Sequence, residues 1–354
     1  MGNKRILPAS FYTQTPWSQP TESLWPGSIF SIYRNCNAYP FYSTMSDLQK
    51  SQILERLQTV LAQTAYFQGG LFIPGEAITP QEQEYLYEHF VLDNGTEPLN
   101  KYQGLYLNPS ANTLALINLE DHLQIRFLVD HGQEQEAFAR ITQLDNMLHE
   151  QLAYAFSERF GFLTAHPSHA GTGFVVQAFM HLPAHTLLQK LEESAEHLPS
   201  QLTTHSLQKT EQYLGDLVIV ENRYTLGVTE EHILEALQKG TEIFIQRERE
   251  LYVQLVKESP SYIKNLVARA LGMLKHSYQM QAHEAIDALS LIELGRRLEW
   301  IGEIEHLQFP TMVFQCLKAH LPDAASHAIK NSDECLQSRA SFLNQQYQGA
   351  KLLF

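Results

Sequence analysis

Apolar positions along the chain change period several times, and each change marks an element. From Ser46 to about Phe67, Ile53, Leu54, Leu57, Val60 and Leu61 recur every three or four residues. That spacing predicts an amphipathic helix capped by Ser46 and stopped at Gly69-Gly70. The period then shortens to two: Leu123, Ile125, Phe127 and Val129 alternate with Gln124 and Arg126. Leu114–Asn118 and Leu123–Val129 therefore read as two strands joined at Glu120-Asp121-His122. Phe138, Ile141, Leu144, Leu148 and Leu152 restore the helical period. A turn-rich loop, Gly161–Gly173, leads into an apolar strand over 174–182, a helix over 183–198 and a short strand over 216–221. A helix opens at Thr229 and runs through Ile233 and Leu237 toward Lys257. Beyond it the pattern is helical over 263–278 and 283–301, with Pro310 and Pro322 as later breaks.

This order predicts an α+β fold: a mixed domain over 28–240 and an all-helical domain over 241–354. Residues 1–27 hold Pro8, Pro16, Pro20 and Pro26 with Trp17 and Trp25, and read as an extended arm anchored by its aromatics. A chain of 354 residues fits that division. Apolar residues make up 44% and charged residues 18%, which excludes a disordered chain and a coiled coil. The 25 Lys and Arg against 39 Asp and Glu give a net charge of −14. That balance argues against nucleic acid and against charge-held membranes as partners, because both need a basic face. It leaves room for a local basic pocket, so the position of each arginine matters more than the total.

Cys36, Cys316 and Cys335 are too few and too scattered for a disulfide scaffold or a cysteine zinc site. They fit a reducing, cytoplasmic setting. The start, MGNKRILPASFY, has no apolar core of a signal peptide, and Ile6 stands where a myristoylation site wants Ser or Thr. No stretch approaches ~18 apolar residues.

Several segments resemble, in order, motifs of the phosphagen (guanidino) kinase family, and most of all its bacterial protein-arginine kinase branch of the McsB type. Asn118-Leu-Glu-Asp-His-Leu-Gln124 resembles N-E-E-D-H-L-R. Phe160-Gly-Phe-Leu-Thr-Ala-His-Pro-Ser-His-Ala-Gly-Thr-Gly173 resembles F-G-Y-L-T-A-C-P-T-N-x-G-T-G, and His181-Leu-Pro-Ala184 the H-L-P-A that follows. Asn222-Arg-Tyr-Thr-Leu-Gly227 with Thr229-Glu-Glu231 resembles N-Q-x-T-L-G-x-S-E-E. The resemblance runs from about residue 17 onward. It implies an antiparallel sheet flanked by helices, followed by a helical domain, and phosphoryl transfer from ATP-Mg to a guanidinium nitrogen. Such catalysis is positioning plus positive charge around the phosphates, which the family supplies with five arginines.

Carried over residue by residue, those arginines are absent. The family's S-S-R-x-R-x-x-R-N stands here as Gly27-Ser-Ile-Phe-Ser-Ile-Tyr-Arg-Asn35, so Ile29 and Ser31 take the two phosphate positions and only Arg34 survives. Gln124 takes the third position, Val175 the fourth and Thr204 the fifth, and Lys209 replaces a substrate carboxylate. Glu120 keeps the place of the proton-accepting carboxylate, and His166 takes that of the loop cysteine near the acceptor. Each lost charge-assisted phosphate contact is worth ~1.5–3 kcal/mol. Arg126, on the same strand face as Gln124, is the candidate substitute. The branch's phosphoarginine-reading motif ends R-R-A-S, of which Cys335-Leu-Gln-Ser-Arg-Ala-Ser341 keeps Arg339.

Three readings follow. The first is a pseudokinase: a regulator or scaffold without bound ATP, working with the branch's partners, a zinc-binding activator protein and Clp-type chaperone–protease components. The second is an active kinase with a rebuilt site, using ATP-Mg, Glu120 as base and Arg126, Lys209 or histidines as cations. The third is a metal- or ligand-binding module on His166, His169, His181 and His185, spaced H-x2-H-x11-H-x3-H. Against that last reading, His181 belongs to the family's H-L-P-A, and 16 histidines make coincident spacing easy. The family also implies a homodimer through the helical domain, with Ile286, Leu289 and Leu294 as surface or, alternatively, as internal core.

Overall fold

The computed structural model describes residues 6–7, 15–17, 24–93, 97–110, 112–207, 213–321 and 332–354. The chain divides into two compact units. The first comprises 1–14, 27–178 and 221–238, and the second 15–26, 179–220 and 239–354. The expected mixed run 28–240 is therefore split, because 179–220 packs with the helical residues. Ala184 and His185 donate their backbone N–H groups to Glu248, and Gly215 donates to Asp287. The arm expected over 1–27 is divided as well, and Trp17 packs against Phe179 and Phe314 with tilted rings in the second unit.

The first unit holds strands β1 (Gly27–Arg34), β2 (Leu71–Pro74), β3 (Gly104–Leu107), β4 (Thr113–Ile117), β5 (Leu123–Asp130) and the start of β8 (Phe174–His181), in the order β2-β3-β4-β5-β1-β8. The pairs from β2 through β5 to β1 are antiparallel. β10 (Leu217–Asn222), most of which lies in the second unit, pairs with β9 (Leu202–Ser206) there. A small hairpin, β6 (Phe156–Ser157) with β7 (Gly161–Phe162), precedes the turn-rich loop.

Helix α1 (Asp47–Gln63) starts where the periodicity places it. Ser46 accepts from Gln49 N–H and the Gln49 side chain answers at Ser46 N–H, a reciprocal cap. Ile53, Leu57, Val60 and Leu61 are its buried stripe. Helix α2 (Pro80–Glu88) has the same kind of cap at Thr79 and Glu82. Helix α3 (Glu134–His149) buries Ile141, Leu144 and Leu148 and packs on β1 and β5. Phe174 meets Phe30 edge-on at 5.7 Å and Phe138 at 5.6 Å between ring centroids.

The helix expected over 183–198 is two short ones, α4 (Pro183–Leu187) and α5 (Leu191–Ala195), separated by Gln189 at φ 54°. Helix α6 (Glu230–Glu258) is followed by α7 (Pro260–His276), α8 (Ala282–Arg297), α9 (Phe309–Gln315) and α10 (Ser332–Tyr347), and β11 (Ile301–Gly302) pairs with β12 (Lys351–Leu352). Ile286, Leu289 and Leu294 are 2%, 1% and 0% exposed in the core of the second unit. The stripe that offered a dimer surface is thus internal, because α8 turns it toward α7. Among the described residues no helix is long and apolar enough to cross a membrane.

Candidate active site

Strand alternation sorts the motif residues of β1 onto two faces. Phe30, Ile32 and Arg34 point one way, and Ile29, Ser31 and Tyr33 the other. The β1–β5 register sets Ser31 opposite Arg126 and Tyr33 opposite Gln124, so Gln124 and Arg126 share the Tyr33 face. Phe174 packs with Phe30, which turns its neighbour Val175 to the Tyr33 face. Four of the five arginine positions of the resemblance are thereby gathered on one face as Ile29, Ser31, Gln124 and Val175. All four are buried, from 2% to 8% exposed. Thr204, the fifth, lies on β9 in the second unit, hydrogen-bonded to the Tyr213 hydroxyl. Lys209 lies outside the described residues.

Most polar groups on this face pair with one another, Arg126 Nε being left without a partner. Gln124 Nε2 donates to the Tyr33 hydroxyl at 3.0 Å, and His169 stacks on the Tyr33 ring with centroids 4.2 Å apart. The Gln177 amide donates to Glu221. Arg126 Nη1 donates to the carbonyls of Phe90 and Val91, and its Nη2 reaches both oxygens of Asp93 at 3.0 Å. Burial works against the Arg126 charge, yet Asp93 and Tyr33 hold its pKa above the ordinary value. Burial also raises the Tyr33 phenol well above its usual range. Arg126 opposes that rise, and Asp93 and Glu221 add to it. The candidate substitute cation is thus already matched by a carboxylate.

Arg34 serves the opposite face. It is 1% exposed, and its Nε and Nη2 reach both oxygens of Asp145, with Nη2–Oδ2 at 2.6 Å. Nη1 donates to the carbonyls of Tyr33 and Thr172, and the guanidinium sits 3.8 Å from the Phe162 ring centroid. Glu230, in the first turn of α6, lies 3.8 Å away. Burial, partly offset by Arg34, raises the Glu230 carboxyl to about 7. Gly173 has φ 61°, and a Cβ there would come within 2.6 Å of Arg34 Nη1. The glycine is needed for this grip.

At one end of the face, Asn118 at φ 56° turns β4 into β5, and its N–H donates to His122 O. Glu120 is exposed on this turn. Asp121 is buried and accepts from Ala165 N–H and from the Asn35 amide. Burial raises its pKa against those hydrogen bonds, Glu120 adds to the rise, and His166 opposes it. The structure thus brings Glu120 and His166 together around Asp121. His166 is exposed, with Nδ1 2.6 Å from Ser168 Oγ. His122 is fully buried. Its Nδ1 accepts from Cys36 N–H and its Nε2 donates to Pro40 O, which fixes one neutral tautomer. Its role is to hold the turn.

The four-histidine set finds other partners. His181 pairs through Nε2 with Ser290, and His185 reaches Glu248 with Nδ1 and Ser194 with Nε2. Among the described residues no group of three or more His, Cys, Asp and Glu is placed to hold a metal ion. Arg339 is 3% exposed and donates to Cys316 O at 2.6 Å and Met280 O at 2.8 Å, so it ties α10 into the second unit. Sequence periodicity missed Tyr33, Asp93, Gln177 and Glu221. The strand alternation of β1, β8 and β10, which carry Tyr33, Gln177 and Glu221, was a signal that could have found three of them. Asp93 follows a turn that has no period.

Two family models match. The one described as "ATP:guanido phosphotransferase, C-terminal catalytic domain" covers residues 52–251, and "Protein-arginine kinase McsB C-terminal domain" covers 260–352. The protein-arginine kinase of Chlamydia pneumoniae is 32% identical over 305 residues, 86% of this chain and 85% of that protein. The one of Chlamydia muridarum is 32% identical over 87% of each. Among solved structures, lombricine kinase superposes with a TM-score of 0.58 at 20% identity, over 72% of this chain and 74% of that one. The duplicated taurocyamine kinase of Schistosoma mansoni, with bound transition-state-analogue components, gives 0.59 at 19% identity. It is matched over 75% of this chain and 40% of its own duplicated length. These likenesses show the guanidino-kinase fold. With the sequence matches to both domains, they establish that the chain belongs to the protein-arginine kinase family.

Proposed function

We propose that this chain is a catalytically silent member of the family, a pseudokinase that regulates or scaffolds Clp-type proteolysis or a stress response in the cytoplasm, without ATP-Mg. One observation carries the reading. The face on which the family's arginines are expected holds Ile29, Ser31, Gln124 and Val175, and the arginine described on it, Arg126, is matched by Asp93 and two carbonyls. A triphosphate needs several charge-assisted contacts at once, each worth about 1.5–3 kcal/mol. A guanidinium already paired with a carboxylate supplies little of that. The partners we infer are protein: an activator protein, Clp chaperone–protease components, and a second copy of the chain through a surface other than the Ile286–Leu294 stripe. Calorimetry with Mg-ATP is expected to give no heat of binding, and mass spectrometry no phosphoarginine on an added protein substrate. Micromolar Mg-ATP affinity or phosphoarginine formation overturns the reading. Sedimentation at several concentrations tests the homodimer.

A second reading, an active kinase with a rebuilt site, draws on Glu120, exposed and grouped with Asp121 and His166 where a guanidinium proton would be taken. It requires measurable transfer that Glu120→Ala abolishes.

A further inference from the structure

We propose that the turn Phe90–Asp93 is a strap latched onto Arg126, and that its opening uncovers an anion site on the Tyr33 face. The proposal rests on the silent reading above and names how that site is held shut.

Three separate features converge on this contact. The first is convergence of acceptors. The carbonyls of Phe90 and Val91 and both oxygens of Asp93 all close on one guanidinium, at 2.6 to 3.1 Å. The second is backbone strain. Phe90 has φ 58°, a left-handed conformation that a bulky side chain rarely adopts, and its carbonyl accepts the shortest of these bonds. The third is an unmet donor: Arg126 Nε is buried without a hydrogen-bond partner, although the residue is 4% exposed. The closed strap therefore combines a strained backbone with an incompletely satisfied cation. Such a contact yields to a ligand that satisfies the cation better.

The chemistry of that ligand follows from what lies beside the guanidinium. The Tyr33 hydroxyl lies near enough to Arg126 for the two groups to couple electrostatically, and Ser31 is the register partner of Arg126 on β1. A planar guanidinium with two hydroxyls beside it suits the oxygens of a small phosphate-type anion. Asp93 occupies the same donors from the outside, with its side chain 73% exposed, so an incoming anion meets the latch at its wet end. Glu221 stands near Tyr33, engaged by Gln177, and limits the site to weak binding.

The test uses the full chain and inorganic pyrophosphate. Asp93→Asn removes the charge of an exposed side chain and keeps an amide oxygen able to accept from Arg126. In Asp93→Asn, amide exchange at Phe90, Val91 and Leu92, whose N–H groups donate to Tyr87 and Leu86 carbonyls, is expected to quicken at least tenfold. Exchange in α1 and α3 is expected to stay unchanged. The variant should bind pyrophosphate at least tenfold more tightly than the wild type, and adding Arg126→Gln should abolish the gain. Should the double variant unfold, the Arg126 Nε–H resonance of Asp93→Asn takes its place and is expected to shift on pyrophosphate addition. Unchanged exchange at the strap, unchanged pyrophosphate affinity, or a gain that does not depend on Arg126 overturns the proposal. Mg-ATP titration of the wild type separates the two readings. Micromolar binding there removes the silent reading, whereas an immobile strap in Asp93→Asn removes the latch alone.

Discussion

Gln124 donates its side-chain amide to the Tyr33 hydroxyl at 3.0 Å, across directly opposed positions of β1 and β5. An arginine at position 124 would lose that bond and set a second cation beside Arg126. Gln124→Arg is therefore expected to lower stability by about 1–2 kcal/mol in chemical denaturation and to leave Mg-ATP binding undetectable by calorimetry. Restoration of micromolar affinity by this one change would show that a single arginine was limiting.

Arg34 is the surviving arginine of the β1 motif, and its partner is a carboxylate of the fold. Arg34→Met strands Asp145 without its cation and frees the carbonyls of Tyr33 and Thr172. Removing one partner of such a buried pair costs about 3–5 kcal/mol. Urea denaturation is expected to show that loss, with proteolysis of the 161–173 loop quickened.

Glu120 is expected to tolerate replacement. Its side chain is exposed on the β4–β5 turn, so Glu120→Ala should move the unfolding free energy by no more than about 0.5 kcal/mol. A loss beyond 2 kcal/mol would make it a structural residue and weaken both functional readings.

Acid sensitivity has a defined sign. Burial lowers the pKa of His122 and drives that of His181 well below its usual value. Above about pH 6.5 both are neutral in the folded and unfolded chain and cost nothing. Below it the unfolded chain takes up protons that the folded chain refuses, so stability falls by up to about 1.4 kcal/mol per pH unit for each. Asp216 and Glu230, raised mainly by burial to about 6 and about 7, act in the opposite sense and favour the fold as pH falls through those values. The difference between wild type and His122→Gln isolates one group. Glutamine can both accept from Cys36 N–H and donate to Pro40 O, and it does not titrate. The variant's disadvantage in equilibrium unfolding should shrink steadily below pH 6.5; a constant gap would mean that His122 titrates normally.

Arg339 separates a structural from a reading role in the helical unit. Arg339→Lys keeps charge but lacks the planar fork that spans Cys316 O and Met280 O. Its melting temperature is expected to fall, with a loss of about 2–3 kcal/mol. Free phosphoarginine should bind neither form; binding by the wild type that Lys abolishes would restore the reader role.

What was legible in the sequence were segments with a period. Ile53 to Leu61 and Ile141 to Leu148 carry the helical repeat, and Leu123 to Val129 the strand repeat, so α1, α3 and β5 appear close to their observed bounds. The helix expected over 183–198 broke because Gln189 turns left-handed, which no pattern of apolar residues records. The apolar stripe of α8 had two readings, and only packing against α7 chose the interior one. The arginine positions of the resemblance could be named from motifs. Their meeting on one face required the register of Ser31 on Arg126, and the pairing of Arg126 required Asp93, 33 residues away along the chain. Long-range charge matching of that kind leaves no local trace.

The two faces of β1 give the strand a further use. Its even residues, Phe30, Ile32 and Arg34, answer to the folding of the unit, while Ile29, Ser31 and Tyr33 face the place where chemistry would occur. One step along the backbone therefore separates two histories. In descendants of a chain relieved of catalysis, even positions should hold still while odd positions wander. On the silent reading proposed above, the ratio of substitution rates on alternate residues of this one strand would date the loss of the reaction.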